Sequence, residues 1–308
     1  MKTVRLILPL LVLLPGAANA QPAPPPPATS SGLDTALIER LTGAKGALDA
    51  AEGVFKVSVP RTDLGLEVAG VRMTPRLGLT SWAAFRKMGD HADHAMVMGD
   101  LVLREDQVNP VMSAALAAGL EVTALHNHFL WDTPRVMFMH IGGHGPQDRL
   151  ATAVGVVFRT MQEKPAPPAK AAIDPAQTTL DPKAVESILN LKGDFKDGVL
   201  RFAVGKPSHM AGETIGNAMG VNTWAAFAGS DAQAVLDGDF AMVAGELQAV
   251  LKALRAAGIN VVAIHSHMAE EEPRILFLHY WGIGPSAHLA RGLKSALEAQ
   301  AGAGKTSP

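Results

Sequence analysis

The chain has 308 residues, 48% of them hydrophobic, with no cysteine and a formal net charge of −2 at pH 7. A chain of this size and apolar content buries one large core or two ordinary ones. The absence of cysteine excludes a thiolate nucleophile, disulfide staples and a lipidated N-terminal cysteine, and so weak a charge offers nucleic acid or anionic lipid little attraction.

In chain order, Met1 to Arg5 carry two basic residues, Leu6 to Leu14 are apolar, and Ala18-Asn19-Ala20 is a small-residue tripeptide. That is the pattern of a cleavable export signal over residues 1–20. The apolar run is too short to span a bilayer, so a periplasmic or secreted protein beginning near Gln21 is expected. Without Lys2 and Arg5 it carries 25 basic and 29 acidic residues. A Pro-rich tether (21–32) leads into a first repeat domain (33–162), a Pro/Ala-rich linker (163–181), a second repeat domain (182–300) and a flexible tail (301–308).

The two repeats align by eye. LGLTSWAAF (77–85) matches MGVNTWAAF (219–227), MGDLVL (98–103) matches DGDFAM (237–242), GLEVTALHNH (119–128) matches GINVVAIHSH (258–267), and PRVMFMHIGGHGP (134–146) matches PRILFLHYWGIGP (273–285). The first copy is three residues longer between Phe85 and Gly99, where a loop tolerates a change in length. A duplicated domain is expected to form two cores.

Each copy contains an amphipathic helix. Leu247, Val250, Leu251 and Leu254 form its stripe in the second copy, with Gly258 at its end; its counterpart spans about 106–118, with Pro110 in the first turn. A β-hairpin follows, with strands over 122–128 and 135–141 in the first copy and 261–267 and 274–281 in the second. Each copy closes with a helix, over about 146–162 and 286–300. The fold class expected is mixed α/β, of the α+β type, with helices packed on a largely antiparallel sheet in each of two tandem copies.

The strongest chemical signal is H-x-H-x11-H, present twice: His126, His128 and His140, then His265, His267 and His279. Residues i and i+2 of a strand point to one face about 7 Å apart, so each H-x-H offers two imidazoles side by side. The third histidine joins them only if the hairpin loop has the right parity. With the five-residue loop Ala269 to Pro273, His279 falls opposite Ala263 and shares that face, and Leu130 to Pro134 does the same for His140. Three neutral imidazoles with a fourth position left to water is the arrangement of a catalytic metal site. Zinc is the default ion, although iron(II), manganese, nickel and copper accept the same ligands.

Other polar residues have simpler readings. Arg135 and Arg274 open the second hairpin strand, where they could hold a substrate carboxylate, yet alternation turns Arg274 away from His279 and favours pairing with an acid. Glu270, Glu271 and Glu272 read as solvated turn residues, with general-base catalysis as the sharper alternative. Their counterparts in the first copy are Trp131, Asp132 and Thr133. Gln107 and Glu246 read as helix caps, Trp82 and Trp224 as core. Asp100 and Asp239, each after a glycine, read as turn residues, with an outer partner to a ligating histidine as the alternative. His91, His94 and His144 read as loop or surface residues.

The segments MVMGDLVL, EVTALHNH, PRVMFMHIGGHG, VNTWAAF and AIHSH with PRILFLHYWGIGP resemble the LppY/LpqO family, exported bacterial proteins with this duplicated architecture, over nearly all of residues 33–300. The resemblance implies the same two-copy fold and supplies no catalytic residues. Members named as lipoproteins carry a lipidated cysteine that this chain lacks. The H-x-H…H pattern is also similar, over a short motif, to that of acetolactate decarboxylase and the plant-and-prokaryote conserved domain, which implies three histidines on zinc. Two functions follow as expectations: a metal-dependent hydrolase or lyase on a small oxygen-rich or carboxylate substrate, or a non-catalytic module binding metal or a small ligand.

Overall fold

The structure, a computed structural model, describes residues 32–89 and 93–304. The expected export signal, nearly all of the tether, His91 and the last four residues lie outside the described residues. The first repeat runs α1 (Thr35–Thr42), β1 (Gly46–Asp49), β2 (Val54–Pro60), β3 (Thr80–Lys87), β4 (His94–Arg104), α2 (Glu105–Ala117), β5 (Glu121–His126), β6 (Val136–Pro146), α3 (Gln147–Thr160). The second runs α4 (Pro182–Leu189), β7 (Asp194–Lys196), β8 (Val199–Gly205), β9 (Asn222–Gly229), β10 (Ala234–Met242), α5 (Leu247–Ala256), β11 (Asn260–His265), β12 (Leu276–Gly284), α6 (Ser286–Ala303).

The four expected helices form as α2, α3, α5 and α6, and each repeat opens with a further short helix, α1 or α4, that the sequence reading did not give. Leu247, Val250, Leu251 and Leu254 are the buried stripe of α5, and Gly258, at φ +71°, takes the left-handed conformation that ends it. Gln107 and Glu246 cap as expected: their side-chain oxygens accept the N–H of Arg104 (3.0 Å) and of Val243 (3.1 Å). Two boundaries differ. Helix α2 starts at Glu105, so Pro110 lies in its second turn, and α6 continues to Ala303, into the segment expected to be a flexible tail.

The strands build one antiparallel sheet of 12, in the order β1-β2-β3-β4-β6-β5-β11-β12-β10-β9-β8-β7. Each repeat contributes six strands in the same relative order, and the halves meet edge to edge where Leu125 of β5 pairs with Ile264 of β11. The two cores expected from duplication are therefore merged. Ile38, Val111, Val154, Val185, Leu251 and Leu293, one from each helix, belong to a single buried cluster with Leu125 and Ile264. Joining the edges removes two unpaired strand edges at once.

The seam has its own fastening. A bulge interrupts the register between Val122 and Ala124 and, in the other half, between Val261 and Ala263, which leaves backbone groups out of the ladder. Side-chain amides supply the missing partners. Gln248 of α5 accepts the Val122 N–H (3.1 Å) and donates to its carbonyl (2.9 Å), while Asn109 of α2 does the same for Val261 (2.8 and 3.1 Å). Each repeat thus holds the other's bulge.

The helices pack against one face of the sheet. On the opposite face, Leu64, Leu66 and Leu79 from the segment before β3 cover Val102 and Phe138, and Ile215 and Val221 before β9 cover Ala241 and Phe277. Among the described residues no helix is long and apolar enough to cross a membrane.

Candidate metal centre

All six motif histidines come to this helix-free face. The register matches the loop parity: Ala124 pairs with His140 and Ala263 with His279. The hairpins are not the tight ones expected, however. Strands β5 and β11 end at His126 and His265 because the connection leaves the sheet: Asp132–Thr133 pairs with Glu67–Val68, and Glu272 bridges to His209. His128 and His267 therefore stand just beyond the strand ends. Each rests flat on a phenylalanine, His128 on Phe138 (centroids 3.4 Å, 3° between planes) and His267 on Phe277 (3.3 Å, 6°).

The rings of each triplet are neighbours. His126 lies 5.1 Å from His128 and 5.2 Å from His140 between centroids, and His265 lies 5.1 Å from His267 and 4.9 Å from His279. In the first triplet His140 Nε2 faces His126 Nε2 at 3.1 Å. Two ligand nitrogens on a tetrahedral zinc with bonds of about 2.05 Å stand about 3.3 Å apart, so this pair is already near the required separation. Among the described residues no group of three or more His, Asp or Glu is set as a finished metal site. A three-histidine site would require the third ring, stacked on its phenylalanine, to turn toward the other two.

Alternation from the Leu125–Ile264 pair sets His126 beside Ala263 and His265 beside Ala124. The two triplets therefore flank a shared floor of small residues, and each takes its three rings from one repeat.

Asp100 and Asp239 are not turn residues. They sit mid-strand, paired directly across from His140 and His279. The preceding glycine answers a close approach: a Cβ on Gly238 would strike the Tyr280 hydroxyl and the Trp224 carbonyl, and one on Gly99 would meet Ile141 and the Trp82 carbonyl. Asp239 is 2% exposed. Its carboxylate faces His267 Nε2 at 3.8 Å and His279 Nδ1 at 3.9 Å, both beyond hydrogen-bonding distance. Burial raises the Asp239 pKa against the pull of His279 and His265. Burial also lowers His267, assisted by His265 and His279, and lowers His128 against the opposing pull of Asp100.

Several neighbouring residues depart from the sequence reading. Trp82 and Trp224 are half-buried on the open face beside these aspartates, with Lys56 and Arg201 over their rings at 4.0 and 4.9 Å. They were expected in the core, but strand parity puts them on the histidine side. Glu271 is not solvated: it is 4% exposed and accepts the Ile275 N–H at 2.9 Å. Its counterpart Asp132 does the same for Val136. Glu270 and Glu272 are exposed, as turn residues should be. Arg274 turns back to donate to the Ala269 carbonyl at 2.9 Å, whereas Arg135 stands 3.9 Å from Glu105. Arg135 also lines a cleft of 580 Å³ at the seam with Asn127, Trp131, Met137 and Ala263. His144 is exposed and His94 contacts Asp93 at 3.1 Å; both lie toward the far end of the β4–β6 pair. The phenylalanines under His128 and His267 and the Asn109 and Gln248 clips escaped the sequence reading, although all four sit at matching positions in the two repeats.

Fold and site together define a duplicated α/β protein whose two histidine triplets share one face of a continuous sheet. The chain belongs to the family described as Domain of Unknown Function (DUF1259), which matches residues 36–160 and 183–299. No curated protein matches it. Among solved structures it is similar to a trimeric bacterial microcompartment shell protein PduB, at 11% identity over 82% of this chain and 89% of that one, TM-score 0.19. It is also similar to aspartate kinase from Synechocystis, at 10% identity over 77% of this chain and 44% of that one, TM-score 0.16. Scores this low carry no argument.

Proposed function

We propose that this chain is an exported metal-binding protein in which each histidine triplet holds one divalent ion, zinc by preference. The observation that carries the reading is the convergence of His126 and His140 through Nε2 at 3.1 Å, with a third imidazole alongside and a similar ring spacing in the other half. Imidazole suits zinc, and three neutral rings leave a coordination position open. Export rests on the sequence of residues 1–20, and the finer kinship to the LppY/LpqO proteins rests on the motifs quoted above.

For the first half we propose a metal-dependent hydrolase or lyase acting on a small oxygen-rich or carboxylate substrate. Bound zinc would supply Lewis-acid polarisation of a substrate oxygen. The chain's own part is to seat the substrate. Arg135 can hold the carboxylate only of a substrate long enough to reach from the triplet into the seam cleft, which none of the six histidines lines. The second half favours a binding role without catalysis, because Arg274 is engaged with Ala269 and Trp281 stands where the first half has Gly142.

The test is replacement of His265 and His267 by alanine. Since each triplet comes from one repeat, zinc content should fall from about two ions per chain to about one, with the first site unchanged. Loss of both ions would refute independent sites.

A further inference from the structure

Resting on that metal reading, we infer that Asp239, and Asp100 in the first half, is a fourth protein ligand, making each centre a three-histidine, one-carboxylate site. Asp239 is buried and Asp100 half-buried, and each has one enclosed oxygen left incomplete by the fold. Asp239 Oδ1 and Asp100 Oδ1 are fully enclosed with no hydrogen-bond partner among the described residues. A buried carboxylate is costly without a counter-charge or donors, and here the omission occurs twice, at matching positions, facing the same kind of triplet.

The distances argue for a shared ion. At 3.8 Å from His267 Nε2 and 3.9 Å from His279 Nδ1, the Asp239 oxygens are too far for hydrogen bonds yet within van der Waals reach of the rings. Donors sharing an ion with bonds of about 2.1 Å stand roughly 3.0–3.4 Å apart when adjacent and about 4.2 Å apart when opposite. A cation between ring and carboxylate would complete Asp239 and draw these groups together by a few tenths of an ångström.

The architecture supports a deliberate placement. Gly238 and Gly99 admit the close cross-strand approach beside each aspartate, and the strand pairing fixes each carboxylate directly across from the third histidine of its triplet. Glu271 also has an unpartnered oxygen, Oε2, but it lies in the connection before β12, where its Oε1 accepts the Ile275 N–H, and not across a strand from a histidine.

The experiment compares wild type with the double variant Asp100→Asn/Asp239→Asn, using cobalt(II) as a visible-spectrum probe of coordination and thermal unfolding of the metal-free chains. Wild type should bind two ions. The variant should bind cobalt at least tenfold more weakly, with changed band positions and intensity. Its metal-free form should be as stable as wild type or more so, because an uncharged amide replaces a buried charge. An unchanged cobalt affinity and spectrum would overturn the inference while leaving the metal reading intact. Weaker binding with a lowered metal-free melting temperature would also overturn it, by making the aspartates structural. A wild-type chain that takes up no cobalt would overturn the metal reading and the inference with it.

Discussion

The seam between the repeats offers a perturbation whose size follows from the structure. Replacing Asn109 by alanine removes both bonds to Val261, and replacing Gln248 removes both bonds to Val122. Val122 and Val261 are at most 1% exposed, so each substitution strands one donor and one acceptor where little water reaches. Leaving such a group unpaired costs about 1–3 kcal/mol. Allowing water to recover part of that, each clip is worth about 2–4 kcal/mol. At about 2 °C per kcal/mol for a chain of this length, each single variant should melt roughly 4–8 °C lower. Calorimetry on wild type should give one transition, because the core is continuous across the halves, and the double variant should begin to separate it into two. Melting temperatures within about 1 °C of wild type, well under the shift expected per kcal/mol, would refute the claim that these amides fasten the halves.

Three further outcomes follow. Gly238→Ala drives a methyl into Tyr280, which is fully buried and donates to the Trp224 carbonyl at 2.8 Å, so urea unfolding should show a loss of about 1–3 kcal/mol or more; a wild-type midpoint would contradict the close-approach argument. Phe277→Ala removes the ring under His267 and should weaken metal uptake at the second site by more than it does at the first; equal weakening at both would deny that the stack positions His267. The pH dependence has a definite sign: burial holds His128 and His267 below the ordinary 6.5, so their contribution to metal-free stability is present above that value and lost as pH falls through their folded pKa values. Melting temperatures of the metal-free chain should therefore fall from pH 7 toward pH 5, and should fall less in His128→Gln/His267→Gln; equal slopes would contradict it.

Much of the local structure was legible because it is periodic. The α5 stripe, the glycine that ends it, the caps and the hairpin register all follow from spacing, and the parity of one loop correctly set His279 opposite Ala263. The misreadings arose where tertiary contact decides. Gly-Asp reads as a turn unless the bulk of Tyr280 and Ile141 across the strand is known. Glu271 reads as solvated until the connection is seen to fold back over it. The merging of two cores depends on β5 and β11 presenting compatible edges, and edge pairing between repeats leaves no periodic trace. The Asn109 and Gln248 pair was visible only as a coincidence of position, since an amide on a helix has many uses.

The most direct measurement is elemental analysis of the full-length protein purified without chelator, followed by zinc titration at neutral pH. About two divalent ions per chain are expected, bound by the six histidines. Protein that carries no stoichiometric transition metal and takes up none on titration would contradict it, and would return His126, His128, His140, His265, His267 and His279 to the role of packed, hydrogen-bonded side chains on an open sheet.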